Sequence, residues 1–145
     1  MKTQHLHDMW SSPDNSRLTS KQFSFRLPVH IAAKLAALAE LYPQKNRTQV
    51  VADLLAAALD DLEANLPLSL GGQISKEEEH HERHISDHLN EQYEPSFYVT
   101  GARVRYRHLV NKHYKEFEKE LGNDATETIY QDLGTMTESY FKANY

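Results

Sequence analysis

Residues 21–27 read Lys-Gln-Phe-Ser-Phe-Arg-Leu, with Pro28 behind them. Phe23, Phe25 and Leu27 alternate with Gln22, Ser24 and Arg26. That period of two puts apolar side chains on one face of a strand and polar ones on the other. Pro28 ends the run and suits the first turn of a helix. Over 28–42, Ile31, Leu35, Leu38 and Tyr42 recur at helical spacing as one stripe, which Pro43 stops. Asn46 with Gln49 three residues later has the form of a capping box. The helix it opens reads VVADLLAAAL over 50–59, apolar around most of its circumference. Such a helix must be buried on several sides.

That demand sets the expected fold. A single strand finds no ladder partner in the first 70 residues, and its backbone donors and acceptors need one. One neighbouring helix and one strand cannot cover the second helix either. Two copies of strand–helix–helix solve both problems: the strands pair antiparallel across a two-fold axis, and the second helices pack together. The sequence predicts an intertwined homodimer.

In the order and spacing of these pieces, residues 21–64 resemble the ribbon-helix-helix DNA-binding proteins of the Arc, MetJ and CopG class. QFSFRLP is similar to the Arc ribbon, with alternate polar residues outward and a proline opening the first helix. NRTQVVADLLAAAL is similar to the start of the family's second helix, where a polar cap, an Arg, a Ser or Thr and an acidic or amide residue precede two aliphatics. The inter-helix turn departs from the pattern: many members have glycine there, and this chain has Pro43-Gln44-Lys45-Asn46. Asn tolerates the left-handed conformation in glycine's place. The resemblance implies a mainly α protein, a ribbon-helix-helix intertwined dimer with one short strand and two helices per chain. It also implies a sequence-specific transcriptional regulator, with repression as the family's usual mode.

In a two-stranded ribbon, Gln22, Ser24 and Arg26 would enter the major groove, where each base pair shows its own donor and acceptor pattern. Gln can bond adenine twice, Arg can bracket guanine, and Ser can bond several base edges. The second helix's N-terminus offers free N–H groups to a phosphate, and Lys45, Asn46, Arg47 and Thr48 stand there. Lys21 is a further phosphate candidate. Plain helix capping is the competing use of Asn46 and Thr48, and the two uses are compatible.

Around this unit the chain divides into a flexible N-terminal arm over 1–20, the DNA-binding and dimerisation domain over 21–66, a linker over 67–74 and a C-terminal domain over 75–145. Trp10 is the one large aromatic in the polar arm and is expected to dock on the body. Pro67 and Gly71-Gly72 mark the linker. The C-terminal domain is expected to hold about three helices. The first opens at Ser75 and closes before Pro95. A short FYVTG segment follows, then a helix over 102–121 capped by Gly122. The last starts at Asp124 and carries Ile129, Leu133, Met136 and Tyr140 on one stripe. This half would oligomerise the dimers into tetramers on tandem half-sites, or bind an effector or a protein partner.

His81, His84 and His88 share one helix face, as do His80 and His84, within reach of a divalent metal. The letters are not a zinc-protease motif, because Ile85 stands where its second histidine would. Nickel-responsive relatives use a cysteine, and this chain has none. A solvated face is the favoured reading, with no cofactor. Arg103, Arg105 and Arg107 with His108 can bind phosphate or an acidic partner, but pairing with the acidic residues 77–79 and 82 of the same half is favoured.

With 145 residues, the chain suits one compact domain or two small ones. The lack of cysteine excludes disulfide scaffolds, cysteine nucleophiles and zinc knuckles. The start resembles no secretory signal, and no run approaches the roughly 20 apolar residues of a membrane span, so a cytoplasmic location is expected. The net charge of −5 comes wholly from residues 75–145, leaving a neutral front half in which a few well-placed cations can serve DNA. No nucleophile–base pair or glycine-rich phosphate loop stands out, so no enzyme is expected. Two rival functions share the DNA-binding dimer: an antitoxin whose C-terminal half wraps a toxin, and a plasmid or conjugation accessory protein.

Overall fold

The computed structural model describes residues 2–10, 18–75, 77, 80–81, 83–85 and 93–145. The chain forms two compact units, Met1–Asn65 with Glu116–Ala125, and Leu66–Lys115 with Thr126–Tyr145.

In the first unit a 3₁₀ turn over Thr3–His5 leads into a short helix α1, Leu6–Met9; α2 spans Val29–Leu41 and α3 spans Arg47–Asn65. Pro28 is the N-cap of α2, and its carbonyl accepts from the N–H groups of Ile31 and Ala32, both at 3.0 Å. Pro43 cannot continue α2, having no N–H to donate. The turn is closed instead by the Tyr42 N–H on Leu38 O at 2.9 Å and the Lys45 N–H on Tyr42 O at 3.1 Å. Asn46 and Gln49 form the reciprocal capping box. Asn46 Oδ1 accepts from the Gln49 N–H at 2.8 Å, and Gln49 Oε1 accepts from the Asn46 N–H at 3.3 Å.

Val50, Asp53 and Ala57 of α3 are buried at helical spacing. Val50 and Ala57 make the core of this unit with Leu6 and Trp10 from the arm, and Leu38, Tyr42 and Leu54 pack against it. α2 has no fully buried residue.

The second unit holds a three-stranded antiparallel sheet in the order β1-β2-β3: β1 is Ser69–Gln73, β2 is Ser96–Thr100 and β3 is Thr135–Thr137. Ser69 faces Thr100 and Leu70 faces Val99, but Gln73 faces Phe97, so one extra residue is taken up at Gly71-Gly72 as a bulge. Helix α4, Ala102–Glu120, follows β2 through Gly101, and α5, Glu138–Asn144, follows β3. The Thr137 side chain caps α5 by accepting from the Tyr140 N–H at 3.2 Å. On the same helix Lys142 bonds Glu138 at 2.8 Å and holds its carboxyl below the ordinary range.

Gly101 has φ +110°, and a Cβ there would lie 2.7 Å from Pro67 O. Gly101→Ala is therefore expected to cost about 1–2 kcal/mol from the left-handed backbone alone, with the clash added, read as a lower urea midpoint. Gly122, with φ +88°, ends α4 in a Schellman motif. Its N–H bonds Lys119 O at 2.9 Å and the Asn123 N–H bonds Glu118 O at 2.9 Å.

The protein is mostly α-helical, but the expected fold of one short strand and two helices followed by a C-terminal domain of about three helices is overturned by this sheet. Residues 21–27 form no strand, because a strand exists by its ladder and no described segment pairs with them. Residues 67–74, expected as a linker, contain β1; the two glycines bulge the strand instead of ending it. The helix expected from Asp124 is not formed. Gly134 turns the chain at φ +64°, its N–H bonding Asp132 Oδ1 at 3.0 Å, and Thr135-Met136-Thr137 then pairs with β2. β-Branched threonines either side of Met136 suit that pleat.

Candidate nucleic-acid interface

The expected DNA-contacting residues all lie in the first unit. The side chains of Gln22, Ser24 and Arg26 are exposed, and so is Lys21. The apolar members of the alternation are exposed as well: Phe25 is 75% and Phe23 is 56% accessible. Phe23 and Phe25 thus keep more than half of their surface in water.

Lys21, Gln22, Phe23 and Phe25 share a groove of about 570 Å³ with Arg47, Thr48, Val51, Ala52 and Leu55 of α3. One site thus joins the start of the alternating segment to the start of α3. Its floor is apolar, and Lys21, Arg47 and Thr48 supply cationic and hydroxyl groups. Ser24 and Arg26 are not in its lining.

Arg47 and Thr48 are exposed in the first turn of α3, where the backbone N–H groups lack intrahelical partners. Asn46, also exposed, is committed to capping through Gln49. Lys45 differs from expectation in its setting: it is only 8% accessible. Of the five expected phosphate contacts, Lys21, Asn46, Arg47 and Thr48 are exposed and Lys45 is buried.

Lys21 and its neighbours also meet the last turn of α4. The Lys21 ammonium lies 5.6 Å from the centre of the Phe117 ring, and Phe23 meets the same ring edge-on at 6.4 Å. Ser20 Oγ donates to Glu120 Oε2 at 3.3 Å.

Comparisons with protein-family models, with curated proteins and with solved structures found no match.

Trp10 of the arm docks in the core of the first unit. Trp10 is 4% accessible, and its Nε1–H donates to Asp53 Oδ2 at 2.6 Å. Its ring meets Tyr42 edge-on at 5.1 Å, and Tyr42 OH is bonded to His7 Nδ1. The signal available was Asp53 itself, an acid inside an apolar helix that needs a buried donor.

In the second unit the basic cluster is largely engaged. Arg103 Nε donates to Leu66 O at 3.0 Å and its guanidinium lies 5.9 Å from the centre of the Tyr145 ring. Arg107 sits over Tyr130 at 4.9 Å, while Arg105 and His108 are exposed. Arg107, His108, Asn111, Tyr130 and Asp132 help to line a pocket of about 230 Å³. Among the acidic residues expected to pair with this cluster, 78, 79 and 82 lie outside the described residues and Glu77 is exposed.

His80, His81 and His84 are exposed, and His88 lies outside the described residues. Among the described residues no three metal-ligating side chains converge. No described helix is long and apolar enough to cross a membrane.

Proposed function

We propose that the chain acts as a homodimer that binds double-stranded DNA in a sequence-specific manner and regulates transcription, most simply as a repressor that occupies a promoter. The exposed side chains of Gln22, Ser24 and Arg26 read base edges in the major groove. Arg47, Thr48 and the first amides of α3 hold the flanking phosphates.

The observation that carries this reading is the bare apolar surface of the first unit, continuous with an alternating segment that has no ladder partner among the described residues. On α3, Val50, Asp53 and Ala57 face the arm, whereas Leu55, Leu59 and Leu62 fall on the opposite side of the helix and are exposed. Val29 at the start of α2 is 87% accessible. Exposed apolar surface of this kind marks an association site, and a second copy supplies an apolar cover for it. The polar half of the alternation then remains outward, next to the cationic start of α3.

The test is fluorescence anisotropy with the full chain on duplex DNA from upstream of its own gene, against excess random-sequence duplex. Wild type and Arg26→Ala are compared at low and moderate salt. Wild type is expected to bind selectively and more weakly as salt rises. Arg26→Ala is expected to lose roughly tenfold or more in selectivity, since one bidentate base contact discriminates by about 1–3 kcal/mol. Equal selectivity in the two proteins removes 21–27 as the reader of sequence.

A further inference from the structure

We propose that Trp10 is a positioning residue for DNA-backbone binding: it ties the end of α2, the inter-helix turn and α3 into one rigid corner, and so aims the first amides of α3. This rests on the reading of the chain as a DNA-binding protein.

Three contacts from one residue make the corner. The indole Nε1–H donates to Asp53 Oδ2 on α3 at 2.6 Å. The Trp10 carbonyl accepts from Gln44 Nε2 in the turn at 3.2 Å. The ring packs edge-on against Tyr42, the C-cap of α2, at 5.1 Å. Gln44 lies two residues before the cap Asn46, and Asp53 lies within the second turn of α3, so the ties bracket Arg47 and Thr48. Asp53 is buried, so releasing the indole strands a carboxylate away from water. The arm therefore holds its place by bonds as well as by apolar packing.

The consequence for binding is geometric. An amide–phosphate hydrogen bond needs a heavy-atom distance near 2.7–3.2 Å. A helix free to rock about its N-terminal turn spreads its first amides over more than that range. The corner fixes α3 before DNA arrives, which spares the ordering cost on binding. The arm acts as a brace for the phosphate-facing turn, with no need to touch DNA itself.

The experiment measures the salt dependence of binding by the full-length protein on the same upstream duplex, well below the melting temperature. It uses wild type, Trp10→Ala, Gln44→Ala and Asp53→Asn, with amide hydrogen exchange at residues 46–49 of the free proteins alongside. Trp10→Ala is expected to speed exchange there at least about tenfold. Its log–log salt slope should fall by about two, corresponding to one phosphate per protomer, with preference over random duplex kept. Gln44→Ala cuts one part-buried tie and removes no residue of the buried core, and it is expected to show about half that change. Asp53→Asn keeps an oxygen acceptor for the indole and is expected to behave as wild type. A Trp10 that serves only the core would lower the Tm and leave the slope unchanged, which overturns the proposal. If Trp10→Ala does not fold, Gln44→Ala decides, and a wild-type slope and wild-type exchange in it overturn the proposal. If wild type itself shows no salt-sensitive binding, the DNA reading fails and the brace falls with it. If wild type binds and the variants match it, the brace alone fails.

Discussion

Leu59→Lys is expected to turn a dimer into a monomer and to destabilise the first unit at any concentration where the wild type is paired. Leu59 is 45% accessible, between Leu55 and Leu62 on the bare side of α3. In a lone chain a lysine there changes little, within about 0.5 kcal/mol for a surface site. In a dimer it removes two leucines from an apolar interface. Burying each leucine is worth about 1.5–3 kcal/mol, so the loss is about 3–6 kcal/mol per dimer. That corresponds to roughly two to four orders of magnitude in Kd. Analytical ultracentrifugation over a wide concentration range checks it, together with urea melts at low and high protein concentration. The wild-type melt should depend on concentration and the variant melt should not. A monomeric wild type with a concentration-independent melt would remove the second copy as the cover for this face.

The legible parts of this chain are those whose cause is local. The capping box at Asn46 and Gln49 needs only two side chains three residues apart, and its bonds form as the spacing predicts. Gly122 likewise ends α4 with a motif encoded in one residue's freedom at positive φ. The parts that misled depend on something far off in the sequence. β1 becomes a strand only because β2, more than twenty residues later, pairs with it, and Gly71-Gly72 reads as a breaker until that partner is known. Ile129, Leu133 and Met136 fit a helical stripe, yet Asp132 and Gly134 turn the chain between them and Met136 pairs across to Phe97.

The candidate site shows the same division. Gln22, Ser24 and Arg26 are exposed, but so are Phe23, Phe25 and Leu27, which the alternation places on a covered face, and the packing of Lys21 and Phe23 on Phe117 joins segments nearly a hundred residues apart. Lys45 reads as a surface cation because it sits in a turn, yet it is buried there, and its N–H closes the turn on Tyr42 O. Trp10 was conspicuous by composition, while its role comes from Asp53, forty-three residues on.

Asn111→Ala is the second substitution expected to have a large effect, and it tests why 123–134 has the shape it has. Without regular structure, that segment must satisfy its backbone by other means. Asn111 on α4 does so at Tyr130: its Nδ2 donates to Tyr130 O at 2.9 Å and its Oδ1 accepts from the Tyr130 N–H at 3.0 Å. One side-chain amide thus takes the place of a neighbouring strand. Truncating it leaves a donor and an acceptor unpaired in a part-buried setting. At about 1–3 kcal/mol for each unsatisfied group, and with some water reaching them, the expected loss is about 2–4 kcal/mol. Asn111→Asp is expected to restore little, because its second oxygen would face the Tyr130 carbonyl where a donor is required. Urea unfolding gives the energy, and hydrogen exchange at the Tyr130 amide gives the location. A melt within about 0.5 kcal/mol of wild type, with that amide still protected, would show that the segment is held by something else. The remaining candidate would be the stacking of Arg107 on the Tyr130 ring at 4.9 Å, and Arg107→Ala would then carry the loss assigned here to Asn111.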